Sequence, residues 1–406
     1  MLLSGLRLVM ETIKLKIFDE TLRDGEQQVG IFFDAETKHT LAGLIDRTGV
    51  HHIALMPAVH HTEAAIVKDL VDRGYTKTLT ASTMMGKKYI DESIACGVKH
   101  IILFHAVSDR LLWLRDSEFR DRILNREIEP AIVTRIRQRA IDKIIHNLQY
   151  AHNQGLKISF AAEDASRADF DFLVECIDKF QPYIDCFIVC DTVGILNPED
   201  TKIWIRNLID FTRNKTPLTV HFHNDRGLAL ENTIQAILAG ATGISGTFGG
   251  IGERAGNVAI EQVLRGLRLR YDWQIAGINY DCLAEVTNYL SSHSFVANPP
   301  YSPESLRYET GIHIESLLRD LDSYYLFSEC KPEVWYGKFS GASSFKYLFE
   351  RLLNQPLSNE KYQQLRSEIK QLSLQQKRSF SSKDTIEYFK ENSSLFVKQT
   401  TPIVNG

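Results

Sequence analysis

His221 and His223 stand two residues apart in the run HFHND, and on an extended strand that spacing puts both imidazoles on one face. Far upstream, DETLRDGEQQVG follows the apolar run IKLKIF and gathers Asp19, Glu20, Arg23, Asp24 and Glu26 where a buried strand should be ending. A third stretch, GGIGERAGN, closes on Asn257. Asp24, His221, His223 and Asn257 together offer a carboxylate, two imidazoles and an amide oxygen. Such a set suits a five- or six-coordinate divalent cation with open positions, and Mn²⁺, Zn²⁺, Mg²⁺ and Co²⁺ all accept it. The plainer readings are a hydrogen-bonded core pair for HFHND and a solvated turn for the charge run. Choosing between them needs a fold that brings the three stretches together.

The alternation of the chain supplies one. Eight short apolar runs, IKLKIFD, HHIALMP, TKTLTAS, HIILFHA, KISFAAE, CFIVCDT, LTVHFHN and GISGTFG, alternate with longer helical patterns. Helix-ending glycines recur at Gly49, Gly74, Gly97, Gly155 and Gly240. The runs lack strict polar alternation, as expected of strands covered on both faces. Eight βα units predict an α/β fold, a TIM (β/α)8 barrel. Polar groups then collect at its carboxyl-terminal face: Arg23 and Asp24 after strand one, Glu163 and Asp164 after strand five, Asp191 and Thr192 after strand six. Closure makes strands seven, eight and one neighbours, so the four candidate ligands meet.

Residues 1–12 read as an N-terminal arm, 13–275 as the barrel, 276–392 as a smaller, mainly helical lid region and 393–406 as a tail. Met10 just before the first strand leaves residues 1–9 as a start-site artefact or a loose arm. Ser358 and Ser382 are candidate helix N-caps in the lid. The polar excursion SDRLLWLRDSEFRDRILNREIEPAIVTR after strand four is either a cap on the barrel mouth or an exposed loop.

A net charge of −4 and a pI near 6.4 give no electrostatic footprint for nucleic acid or an anionic membrane. No apolar run reaches membrane-spanning length. Six cysteines lack a CxxC pair, and Cys186 and Cys190, four apart on one strand, are separated by roughly 13 Å, too far for a disulfide. A cytoplasmic protein with free thiols is expected. GGIGERAG falls after strand eight, the wrong place for a dinucleotide-binding turn.

DETLRDGEQ, HFHNDRGLA and GGIGERAGN closely resemble the motifs of the metal-dependent barrels that include isopropylmalate, homocitrate and citramalate synthases and hydroxymethylglutaryl-CoA lyase. AAEDASRADFDFL, DTVGILNP and ETGIHIESLLRDLDSYY look most like bacterial homocitrate synthase. The resemblance implies a divalent cation on Asp24, His221, His223 and Asn257, and a Claisen condensation of acetyl-CoA with a 2-oxo acid. It implies that Arg23 contacts the substrate's oxygens, with Gln27 and Thr192 beside it. It also implies that Glu163, His313 and Tyr324 handle the proton, the last two supplied by the neighbouring subunit of a homodimer. The cysteine that the lyase branch uses in the strand-eight loop is absent from GTFGGIGERAGN, which favours condensation over cleavage by a lyase or aldolase. A non-catalytic binding descendant would have no chemical reason to keep both the metal set and His313.

Two positions depart from the pattern. Ile53 stands where the synthases usually carry a Glu, and Met84 stands nearest the place of an Arg that helps bind the distal carboxylate of 2-oxoglutarate. Together they predict a less polar substrate pocket, and an isopropylmalate- or citramalate-type synthase as the alternative. Lys87, Lys88 and His105 are the remaining nearby sources of positive charge.

Overall fold

The computed structural model describes residues 10–120, 128–213, 215–325, 327 and 331–392. Eight strands form a closed parallel barrel in chain order: β1 (Lys16–Asp19), β2 (His52–Leu55), β3 (Leu79–Met84), β4 (His100–Ala106), β5 (Lys157–Glu163), β6 (Cys186–Asp191), β7 (Leu218–Phe222) and β8 (Gly243–Gly246). Asp19 of β1 lies opposite Ile53 on one side and Gly246 on the other, which closes the ring. All eight expected runs are present. The first is shorter than its apolar stretch, because Ile13 belongs to a separate strand, Glu11–Ile13, paired in parallel with Trp273–Ile275.

Side-chain alternation divides the apolar residues into two sets. Phe18, Ala54, Ile102, Cys186, Ile188 and Cys190 fill the barrel interior with Ala161 beside them, while a larger core packs between strands and helices. Helix entry after the strands is capped by short polar side chains. Asp34, Asp169 and Asn197 accept from Thr37, Phe172 and Asp200 backbone N–H groups at 2.9, 2.9 and 2.8 Å.

Beyond Trp273–Ile275 the chain is mainly helical, with Leu283–Ser292, Gly311–Arg319, Asn359–Gln376 and Ser382–Asn392 as its longer helices. A small sheet of Arg307–Tyr308, Glu333–Tyr336 and Phe380–Ser381 lies among them, which the helical pattern did not announce. Ser358 caps as expected, accepting from Lys361 N. Ser382 does not: Ser381 Oγ accepts from Asp384 N at 3.1 Å, while Ser382 donates to the Val334 carbonyl. Residues 1–9, 393–406 and Cys330 lie outside the described residues. No described helix is long and apolar enough to cross a membrane.

Candidate metal centre and the barrel mouth

The three stretches singled out above converge at the carboxyl-terminal end of the barrel. His221 Nε2 and His223 Nε2 lie 3.3 Å apart, and Asp24 Oδ2 lies 3.8 and 3.9 Å from them. All three are buried. Asn257 Nδ2 donates to Asp24 Oδ1 at 2.8 Å, leaving its own Oδ1 buried without a hydrogen-bond partner. A β-carbon on Gly252 would fall 2.2 Å from Asn257 Nδ2 and 2.6 Å from Asp24 Oδ1, so only glycine leaves room there.

Charge states suit a cation. Burial opposes ionisation of Asp24, but Arg23 and the Asn257 hydrogen bond hold the carboxyl well below its ordinary range. Burial keeps both imidazoles neutral, with Arg254 adding to the effect at His223. A neutral imidazole pair, an ionised carboxylate and an orphaned amide oxygen are the donors a divalent metal needs, and the residues fit that ion.

Arg23 reaches Glu20 Oε2 (2.7 Å), Asp24 Oδ2 (3.2 Å) and Gln27 Oε1 (3.3 Å). Opposite, Glu163 is gripped by Arg115, whose Nη1 and Nη2 donate to its two oxygens at 2.5 and 2.8 Å. Burial raises the Glu163 carboxyl, but Arg115 overcomes it and brings it down to about 2. Tyr324 donates its hydroxyl to the same carboxylate, and burial pushes that phenol well up, so it stays protonated. The His313 ring stacks on Tyr324 with centroids 4.0 Å apart, its Nδ1 3.1 Å from Glu253 Oε1. The same chain therefore brings His313 and Tyr324 over its own barrel; the resemblance had implied the neighbouring subunit. Thr192 lies at the end of β6, its Oγ1 accepting from Asp164 N at 2.8 Å.

Arg23, Asp24, Glu163, His221, His223 and His313 line a cavity of about 130 Å³ that also touches Met56, Ser82, Ile102, Phe104, Ala161 and Ile188, while Tyr324 stands behind Glu163. Ile53 is not among its walls. Strand alternation turns Ala54 and then Met56 inward, and sends Ile53 out into the core beneath the helices. Met84 follows Ser82 on the inner face of β3 but borders two outer clefts with Tyr89. Lys88 is 3.8 Å from Glu92, Lys87 lies over the Tyr150 ring, and His105 lines an outer cleft. Asp164 and Asp191 are structural: Arg167 and Ser108 donate to the first, and Ser166 with two backbone N–H groups donates to the second.

Reading the sequence missed Arg115 and Glu253. Arg115 sits in the excursion after strand four, in the helix Asp109–Arg115, so that segment does contribute to the mouth. Glu253 was visible in GGIGERAGN but carried no spacing signal of its own.

A parallel barrel with a carboxylate and two neutral imidazoles at its carboxyl-terminal mouth defines a metal-site enzyme architecture. Residues 14–289 match the HMGL-like family model, and the chain belongs to that family. It is 32% identical over 348 residues to homocitrate synthase AksA of Methanothermobacter thermautotrophicus, covering 83% of this chain and 84% of that one. Identity is 31% to a putative (R)-citramalate synthase CimA of Archaeoglobus fulgidus (84% and 68% covered). It is 30% to a probable 2-isopropylmalate synthase of Ignicoccus hospitalis (87% and 87%). The solved hydroxymethylglutaryl-CoA lyase of Pseudomonas aeruginosa shares the fold, with a TM-score of 0.55 and 18% identity over 72% of this chain and 97% of that one.

Proposed function

We propose that the chain joins acetyl-CoA to a 2-oxo acid in a divalent-metal-dependent Claisen condensation, giving a 2-hydroxy di- or tricarboxylic acid and CoA. The observation that carries this is the meeting, at one barrel mouth, of the Asp24–His221–His223 cluster with the Glu163–Tyr324–His313 group. Bound to that cluster, with Asn257 as a further ligand, a divalent cation supplies Lewis acidity toward the 2-oxo group. His313, steered by Glu253 and stacked on Tyr324, takes a methyl proton from acetyl-CoA. The resulting carbon nucleophile forms the new C–C bond at the oxo carbon, whose oxygen gains the electron pair. Arg23, at the chamber wall, faces that developing charge. The Tyr324 hydroxyl is a proton donor oriented by Glu163, and water then cleaves the thioester to release CoA. Thr192 and Gln27 line the same space for the acid's carboxylate.

Acetyl-CoA has a route to this chamber. A larger cleft of about 700 Å³ shares Gln27, Met56, Thr310 and Ile312 with it and is lined by Lys346, Arg351, Arg366 and Lys370. None of these four cations has a carboxylate partner among the described residues, which suits a polyphosphate tail.

Among the named synthases a homocitrate-type reaction is one reading. The apolar wall favours the other. Strand β4 lies across the ring from β8, between the two strands that lead to the metal ligands, so Phe104 and Ile102 face the cluster with Met56 and Ile188 flanking. Glu163 and Arg115 neutralise each other, so that pair offers no free cation to a second carboxylate. A 2-oxo acid with an apolar side chain is the better fit. A homodimer in the cytoplasm completes the proposal.

The test is CoA-thiol release with acetyl-CoA and 2-oxoglutarate, pyruvate, 2-oxoisovalerate or phenylpyruvate, with and without a chelator. Chelator-sensitive release with an apolar oxo acid is expected. Release with 2-oxoglutarate alone would restore the homocitrate-type reading, and no release with any acid would refute condensation.

A further inference from the structure

Beside the catalytic mouth lies a closed square of four buried charges that the proposed chemistry does not use. Lys38 pairs with Glu26 at 2.6 Å and with Glu63; Lys338 pairs with Glu26 at 2.7 Å and Glu63 at 2.5 Å. Every one of these side chains is 4% exposed or less. Three of the four belong to the barrel and its helices. Lys338 comes from the far C-terminal region, in the tight turn Gly337–Ser340.

Each side of Lys338 leads to a functional group. Glu26 stands two residues from Asp24 and one from Gln27, in the turn Gly25–Gln27. On the other side, the Phe339 carbonyl accepts from Gly311 N at 3.2 Å and Phe339 N donates to Glu309 Oε1 at 2.9 Å. Gly311 opens the helix that carries His313. It packs so closely on Gly341 that a β-carbon would lie 2.5 Å from Gly341 N. The Lys338 turn and the start of the His313 helix are thus joined by backbone contacts with no slack between them.

We infer that Lys338 is a positioning residue: its ammonium, shared with Glu26, sets the His313 helix at a fixed distance from the Asp24 turn. Burial alone does not call for such a device, since well-packed apolar side chains hold a core together as well as a buried ion pair does. What the ion pairs add is direction. A buried lysine between two carboxylates has one place to sit, and the helix tied behind it inherits that place. The inference rests on the proposed reaction for its kinetic readout and on geometry for the rest.

Removing Lys338 alone would leave two buried carboxylates on one lysine and mix lost stability with lost positioning. The decisive comparison is between two charge-balanced double variants. Lys338→Met with Glu63→Gln leaves Lys38 on Glu26 and cuts the tie to the helix. Lys38→Met with Glu63→Gln leaves Lys338 on Glu26 and keeps it. The first should lower kcat for chelator-sensitive CoA release by at least about tenfold, with KM changed by less than about threefold. It should also speed amide hydrogen exchange in Gly311–Arg319. The second should keep parental kcat and exchange. Equal losses in both, or parental values in the first, overturn the inference. Exchange needs no substrate, so a parent protein that performs no condensation refutes the proposed function while exchange still decides this point. Should the first variant fail to fold, Lys338→Arg takes its place. Both this substitution's helix protection and its kcat are then expected to stay near parental while Lys338→Gln with Glu63→Gln loses both; parental values in the latter overturn the positioning role.

Discussion

At the scale of single residues, the proposed reaction divides the mouth into a half for the cation and a half for proton transfer. His221→Ala should weaken Mn²⁺ binding by more than about 100-fold by titration calorimetry, since loss of even an outer-shell partner costs 10- to 100-fold. The melting curve should change little; parental Mn²⁺ affinity in that variant would contradict the ligand set. Tyr324→Phe belongs to the other half. It should lower kcat by about 10² to 10³ while Mn²⁺ affinity stays put, the range expected when a proton-transfer group is lost. A matching fall in metal affinity would instead make Tyr324 part of the ion's site. The Asp24–His221–His223 cluster was readable because two-residue spacing on a strand and strand-end position are local facts. Ile53 was expected in the pocket from its place beside the family pattern, but strand alternation turns Ala54 and Met56 inward and Ile53 away. Arg115 was not readable at all: 48 positions separate it from Glu163, and only the fold brings them together.

At the scale of elements, the loop after β8 is held by an ion pair deeper than the chemistry. Arg254 Nε donates to Asp225 Oδ1 at 2.9 Å, and Arg254 also donates to the Thr192 carbonyl, linking the ends of β6, β7 and β8. Both side chains are buried. Arg254→Met leaves the buried Asp225 without its ion-pair partner, and urea unfolding should show a loss of about 3 to 5 kcal/mol. A loss under about 1 kcal/mol would mean the carboxylate finds water or another donor. Most of the strands were legible as apolar runs bounded by turn residues, and the Thr-rich Leu79–Met84 by β-branched content and its place in the alternation. The small C-terminal sheet was not, since strands of two to four residues leave too short a pattern to separate from loop. The shift of the cap from Ser382 to Ser381 is the one-residue ambiguity that two adjacent serines create.

At the scale of the whole molecule, the amino-terminal end of the barrel carries a pH dependence unrelated to the metal. Burial holds His52 down to about 2 and His100 down to about 4, with the His100 ring, Lys16 and Lys157 adding at His52. Both are neutral when folded and titrate near 6.5 when unfolded. Between pH 6.5 and 4 the unfolded chain binds more protons, so stability is full above that window and falls as pH drops through it. The loss by pH 4 is on the order of 3 kcal/mol per histidine. Carboxylates held low, such as Glu163 at about 2, lose their share only below their ordinary value of 4.5. His100→Asn should therefore flatten the urea midpoint between pH 6.5 and 4.5; an unchanged slope would show that another group titrates there.

The proposed reaction makes a carbon–carbon bond at a barrel mouth suited to a divalent metal. Mass spectrometry of the products from acetyl-CoA labelled with ¹³C at the methyl carbon, 2-oxoisovalerate and Mn²⁺-loaded protein measures that bond itself. A 2-hydroxy dicarboxylic acid carrying the label, lost on adding chelator and restored by Mn²⁺, is the predicted result. Free labelled acetate with unchanged 2-oxo acid, with every acid of the panel, would contradict it.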